Sequence, residues 1–263
     1  MSKRARDSVK SHSKASSKKK GKVSAQAQSL KKSKLTAARM VANAVSMGFL
    51  GIEKKFLDCT KPDTAIANTA GLASAEFDPA GVGCTGCLSA PAQGDTEQSR
   101  DGKRIVIDSL ILKGYVMGDP SNNAALGESS KVFVAVVLDT QTNVTQLNSE
   151  DVFKNTLNTA AGCVCPLKNL LFGKRFRILK SQVYDLTPYG LGTGGAAATA
   201  SYSAVRKDFD WYIPFKTPLA VNLNAGTDAN VANVIDNSIH VIAFHTGAGN
   251  ASIGYNSRIR FQG

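Results

Sequence analysis

Asp208-Phe-Asp-Trp-Tyr-Ile-Pro-Phe215 places a large apolar side chain at every second position: Phe209, Trp211, Ile213 and Phe215, with Asp208, Asp210 and Tyr212 between them. A period of two puts alternate side chains on opposite faces of an extended strand, one face buried and one wet. The C-terminal stretch repeats the pattern, with Ile253, Tyr255, Ile259 and Phe261 alternating with Ser252, Asn256, Arg258 and Arg260. Val132-Phe-Val-Ala-Val-Val-Leu138 is apolar throughout and rich in β-branched residues, which predicts a strand covered on both faces.

Working outward from these three, Ile52–Cys59, Arg104–Val116, Phe176–Leu186, Leu219–Leu223 and Ile239–His245 complete a set of eight candidate strands. Helical signals after residue 50 reduce to Ser149-Glu-Asp-Val-Phe153, where Ser149 is placed to cap one short turn. Two long loops are expected, Lys61 to Lys103 and Thr187 to Lys207. Eight strands with long loops and few helices predict an all-β fold, a two-sheet antiparallel sandwich or jelly roll. Loops of that length usually carry a function of their own or are disordered.

The charge is segregated. The 263 residues carry a formal net charge of +12. Residues 1–40 hold 13 basic residues and one acid, Asp7, while residues 41–263 hold 19 basic and 19 acidic residues, which cancel. The basic residues at the start are Lys3, Arg4, Arg6, Lys10, Lys14, Lys18, Lys19, Lys20, Lys22, Lys31, Lys32, Lys34 and Arg39, and these are the expected nucleic-acid-binding residues. Residues 1–34 contain almost no large apolar side chain, so they cannot bury enough surface to offset their ordering entropy and are expected to be a disordered arm. Each cation that neutralises a phosphate releases counterions, which gives salt-sensitive affinity without sequence preference. The arm has no aromatic residue, so base stacking is not available to it. Lys3-Arg-Ala-Arg6 and Lys18-Lys-Lys-Gly-Lys22 also fit nuclear-import addresses, and a basic run also serves as a plain solubilising tail.

The organisation expected is therefore an arm over residues 1–34, a linker over 35–50 and a folded domain over 51–263. The Ala-rich residues Leu35 to Met47 are compatible with a short helix in the linker. No membrane insertion is expected. The longest mostly apolar stretch, Met40 to Ile52, is interrupted by Asn43 and Ser46 and falls short of the roughly 20 residues a spanning helix needs. No secretory signal is visible, because the basic start runs into more Ser and Lys.

Five cysteines, Cys59, Cys84, Cys87, Cys163 and Cys165, are too few for a disulfide scaffold, and their odd number favours free thiols in a reducing compartment. Cys84-x-x-Cys87 with Cys163-x-Cys165 raises a four-thiolate zinc site or a redox disulfide. The single-residue gap in the second pair fits zinc poorly, and small buried or loop cysteines are the reading preferred. No metal and no cofactor is assigned.

No catalytic constellation stands out, and the chain reads as a non-enzyme. His12 is in the arm. His240 and His245 are five residues apart on one strand, on opposite faces, which makes them poor joint ligands and points to structural roles. Gly192-Thr-Gly-Gly195 lacks the Lys-Ser/Thr of a phosphate loop. Nothing brings two of Asp108, Asp139 and Asp185 together as an acid/base pair, and Asp228 with Asp236 gives only a weak calcium signal.

A cationic arm on a neutral sandwich suggests that the arm holds a polyanion while the sandwich contacts copies of itself. At this point the sequence resembles the capsid proteins of circular single-stranded DNA viruses that encode a replication initiator, the circovirus-like group. The resemblance lies in five stretches taken in order. They are the basic N-terminus; Gly51-Ile-Glu-Lys-Lys-Phe-Leu-Asp58; Gly94-Asp-Thr-Glu-Gln-Ser-Arg-Asp-Gly-Lys-Arg-Ile-Val-Ile107; Val132–Asp139 with Gln146-Leu-Asn-Ser-Glu-Asp-Val-Phe153; and Arg175-Phe-Arg-Ile-Leu179. It implies a single eight-stranded jelly roll and a closed icosahedral shell of roughly 60 copies. It also implies an inward-pointing arm, passage through a host nucleus and a host receptor of unknown identity. Such a shell would turn on the order of 700 positive charges toward its cargo.

The partners expected are thus the chain itself and single-stranded nucleic acid, with DNA favoured. The arm is rich in Lys and Ser where many relatives are dominated by Arg, and the cysteine pairs are not a family feature. Coat proteins of small RNA and satellite viruses share the basic arm and the jelly roll. A non-viral nucleic-acid-binding protein with a sandwich interaction domain is the further alternative.

Overall fold

A four-stranded antiparallel sheet faces a three-stranded one, and the alternation read from the sequence decides which side of each strand lies between them. The computed structural model describes residues 53–66, 78–79, 83–118, 131–154, 166–186, 205–246 and 251–263. The strands are β1 (Lys54–Ile66), β2 (Arg104–Gly118), β3 (Lys131–Asp139), β4 (Phe153–Lys154), β5 (Leu167–Lys168), β6 (Phe176–Asp185), β7 (Arg206–Asn222), β8 (Ser238–Thr246) and β9 (Ala251–Gln262). One helical turn, α1 (Ser149–Val152), precedes β4. Sheet one runs β1-β9-β2-β7, sheet two runs β6-β3-β8, and β4 pairs with β5 alone. Chain-distant strands thus lie side by side in each sheet, the winding of a jelly roll.

Buried side chains fill the space between the sheets: Leu57, Ile107, Leu112, Trp211, Ile259 and Phe261 from sheet one, with Val132, Val134, Val136 and Val241 from sheet two. Tyr184 of β6 meets Phe209 of β7 at 6.0 Å between ring centroids, and the Lys180 Nζ lies 5.4 Å from the Trp211 ring. β3 is buried along its length from Val132 to Asp139, as its unbroken apolar run predicts. Phe153, delivered by α1 and β4, packs edge-on against Phe133 (5.5 Å, 87°) and Phe244 (5.5 Å, 83°).

Three local features differ from the sequence reading. The candidates Phe209–Phe215 and Leu219–Leu223 are one 17-residue strand, β7. Its register jumps where Ile107 faces Leu219 but Ser109 faces Pro214, so residues 215–218 bulge opposite Asp108 alone. β7 is an edge strand, where a proline removes no ladder hydrogen bond on the open side. β1 continues past Cys59 through Pro62 and Asp63 to Ile66, again on a sheet edge and with a register shift between Lys61 and Thr64. The helical turn is capped by Asn148, whose side chain accepts from the Glu150 N–H, and not by Ser149, which is the first helical residue.

Candidate nucleic-acid interface

The thirteen cations expected to bind nucleic acid, Lys3 through Arg39, lie outside the described residues. The short helix proposed over Leu35 to Met47, Cys163 with Cys165 and the Gly192–Gly195 run also lie outside them. Within the described residues, the charged surface of interest is the outer face of sheet one.

Register assembles that face from residues far apart in the chain. Asp58, Arg258, Ile111 and Tyr212 form one row across β1, β9, β2 and β7. The next row toward the start of β1 holds Phe56, Arg260, Ser109 and Pro214, and the one beyond it holds Lys54, Gln262, Val106 and Ala220. Arg104 projects two residues before Val106 and stands opposite Asn222.

Two halves of the face differ in their electrostatics. On one half, cations are neutralised in place: Arg258 Nε and Nη2 each donate to the Asp58 carboxylate at 2.6 Å, Lys113 pairs with Asp210 at 2.8 Å and Arg206 with Asp208 at 2.8 Å. The carboxylate hydrogen bond raises the Arg258 pKa above its ordinary value. On the other half, Lys54, Arg104 and Arg260 are exposed and make no ion pair among the described residues. Two aromatic rings border them. Phe56 is half-buried beneath the Arg258 guanidinium, 5.0 Å from its centroid, and Tyr212 is 60% exposed.

The segment Gly94–Arg104, quoted above for its resemblance, acts as a clamp rather than a site. Arg100 is fully buried, its Nη2 donating to the carbonyls of Asn224 (3.0 Å) and Gly226 (2.5 Å) and its Nη1 to that of Gly102. Burial of the cation lowers its pKa from the ordinary value. Next to it, Asp101 pairs at 2.7 Å with Lys55, whose side chain is 3% exposed, and the Glu97 carbonyl accepts from the Phe56 N–H on the open edge of β1. Arg175, at the head of the last quoted stretch, grips the buried Asp139 carboxylate with two bonds of 2.8 Å. The Glu97 carbonyl covers the open edge of β1 at Phe56, whereas Asp139 lies on the central strand β3.

β5 and the loop after it present the opposite character. Leu167, Leu170, Leu171 and Phe172 are all exposed, Leu170 to 86% and Leu171 to 78%. Contiguous apolar surface of this kind marks protein–protein contact sites.

Two arrangements escaped the sequence reading. Cys59 and Cys84 form a disulfide with a Cα–Cα distance of 5.9 Å, which corrects the expectation of free thiols and removes Cys84 from any zinc set with Cys87. The bond forms because the segment before β2 returns along β1, a proximity that the 25-residue spacing does not reveal. Cys87 is buried and free, and burial pushes its thiol up to about 12. The second is a chain of buried hydrogen bonds. Asp78 Oδ2 meets His240 Nδ1 at 2.7 Å, His240 Nε2 meets the Ser238 hydroxyl at 2.7 Å, and Thr142 Oγ1 donates to Ser238 Oγ at 2.6 Å. The order of contacts is that of a hydrolytic triad. All three side chains are buried and the Ser238 oxygen is already engaged, so the chain of bonds serves to hold Asp78 against β8.

No family model matches the sequence, and no curated protein matches it. Among solved structures, the chain is similar to a 60-mer BFDV capsid protein (9% identity over 80% of this chain and 93% of that one, TM-score 0.26). It is also similar to the Human Polyomavirus 6 VP1 pentamer (10% identity over 80% and 93%, TM-score 0.22). At those TM-scores neither superposition bears on what this chain binds, and the jelly roll rests on the chain's own strand order.

Proposed function

We propose that the chain is a viral coat protein whose arm, residues 1–34, packages single-stranded DNA. Residues 35–50 link the arm to a shell domain, residues 51–263, which assembles with copies of itself into an icosahedral particle. The observation that carries the reading is the segregation of charge, with all of the net +12 on residues 1–40 and a neutral remainder. A neutral jelly roll tolerates close approach of its own copies, since it carries no net field to repel them. The exposed Leu167–Phe172 loop gives such copies an apolar contact. Lys3-Arg-Ala-Arg6 and Lys18–Lys22 serve as the import address for assembly in a host nucleus.

Salt dependence tests the cargo half of this reading. If the thirteen cations each neutralise a phosphate, log K for a long single strand falls with log[salt] at a slope of about −9, at roughly 0.7 per contact. The full chain with those thirteen residues changed to Gln is expected to lose most of that slope. A variant that keeps the parent's slope places the binding elsewhere and overturns the reading.

A further inference from the structure

The charges of residues 41–263 cancel in sum but not in place. Three strands that are distant in the chain bring Lys54, Arg104 and Arg260 to one half of the outer face of sheet one, with no carboxylate paired to any of them among the described residues. On the same face Asp58, Asp208 and Asp210 each hold a cation of their own. Tyr212 stands exposed one row from Arg260, whereas Phe56, beside Arg260 on β1, is covered by the Arg258 guanidinium. Strands about 4.8 Å apart and a rise of about 3.3 Å per residue make this a patch of about 15 by 20 Å, enough for a few nucleotides. Two carboxylates border the patch and are engaged by amides rather than by its cations: Gln262 Nε2 donates to Asp108 at 3.1 Å and Asn222 Nδ2 to Asp236 at 2.7 Å.

We infer that this half-face is a second contact for single-stranded nucleic acid, one that stacks a base on Tyr212 while Lys54, Arg104 and Arg260 hold the backbone. It rests on the proposed function for its ligand class and adds what residues 1–40 lack, since they contain no Phe, Tyr or Trp. Aromatic platforms flanked by cations bind single strands because every base has a face to stack, and unpaired bases alone offer it. A duplex would find the cations but gain nothing from the Tyr212 ring.

Fluorescence anisotropy on the full chain tests this, using labelled oligo(dT) and a hairpin duplex as probes. The combined variant Lys54→Gln, Arg104→Gln, Arg260→Gln is expected to reduce the oligo(dT) salt slope by about 2, three contacts at roughly 0.7 each. Tyr212→Leu is expected to weaken oligo(dT) binding by about fivefold to a hundredfold while leaving slope and duplex binding unchanged. A 5-iodouracil oligonucleotide is expected to crosslink to the peptide carrying Tyr212. Thermal melts of both variants should match the parent, since the three cations make no ion pair among the described residues. Parent-like slope and affinity in both variants would overturn the inference. An equal loss for duplex and oligo(dT) in Tyr212→Leu would overturn the stacking role. The arm variant reports separately: loss of slope there with parent-like behaviour here sinks only this inference, whereas an unchanged slope there sinks the arm reading.

Discussion

Asp78→Ala is expected to lower the stability of the folded domain by about 2–5 kcal/mol, the scale for leaving two buried hydrogen-bonding groups without their partner. The Asp78 side chain has no exposure, and its two carboxylate oxygens serve different donors. Oδ2 meets His240 Nδ1 at 2.7 Å and Oδ1 accepts the Val241 N–H at 3.0 Å. Truncation orphans both groups inside the protein, where neither finds water. Asp78→Asn keeps the shape and one accepting oxygen, so it should cost less than half as much. Thermal unfolding reads the difference as a fall of roughly 10 °C for alanine. Equal and small losses in both variants would show that the chain of bonds from Asp78 to Thr142 contributes little.

Breaking the Cys59–Cys84 bond is expected to cost about 3 kcal/mol, the loop-closure value for a separation of this size. The bond ties β1 to the segment that leads into β2, and both sulfur-bearing residues are nearly fully buried. Cys59→Ser with Cys84→Ser should therefore melt well below the parent. Peptide mapping without reductant should recover the two cysteines linked. Treated with iodoacetamide before digestion, native Cys87 should resist alkylation until the domain unfolds, because burial pushes its thiol to about 12 and the thiolate is the reactive form. Alkylation of Cys59 in the native protein would contradict the pairing.

Much of the fold was legible because it is written in local periodicity. β9, the inward face of β7 and the two-sided burial of β3 follow from alternation and from an apolar run, which need no knowledge of neighbours. The continuation of β1 through Lys61-Pro-Asp63 was hidden by residues that signal a turn, and only its place on a sheet edge makes them acceptable there. The disulfide and the pairing of Asp78 with His240, 162 residues away, depend on which segments return to which strand. The outer face of sheet one was illegible for the same reason. Lys54, Arg104 and Arg260 are unremarkable as single residues, and they become a patch only through the register of β1, β9 and β2.

The central claim is that one part of the chain holds nucleic acid and the other builds a container. Negative-stain microscopy of the purified full chain, with nuclease treatment before its contents are extracted, tests it most directly. The account predicts uniform spherical particles that protect single-stranded DNA, and empty or unfilled particles when the thirteen cations of residues 1–40 are changed to Gln. Monomers under every salt and pH condition tried, or filled particles from the neutralised variant, would contradict it.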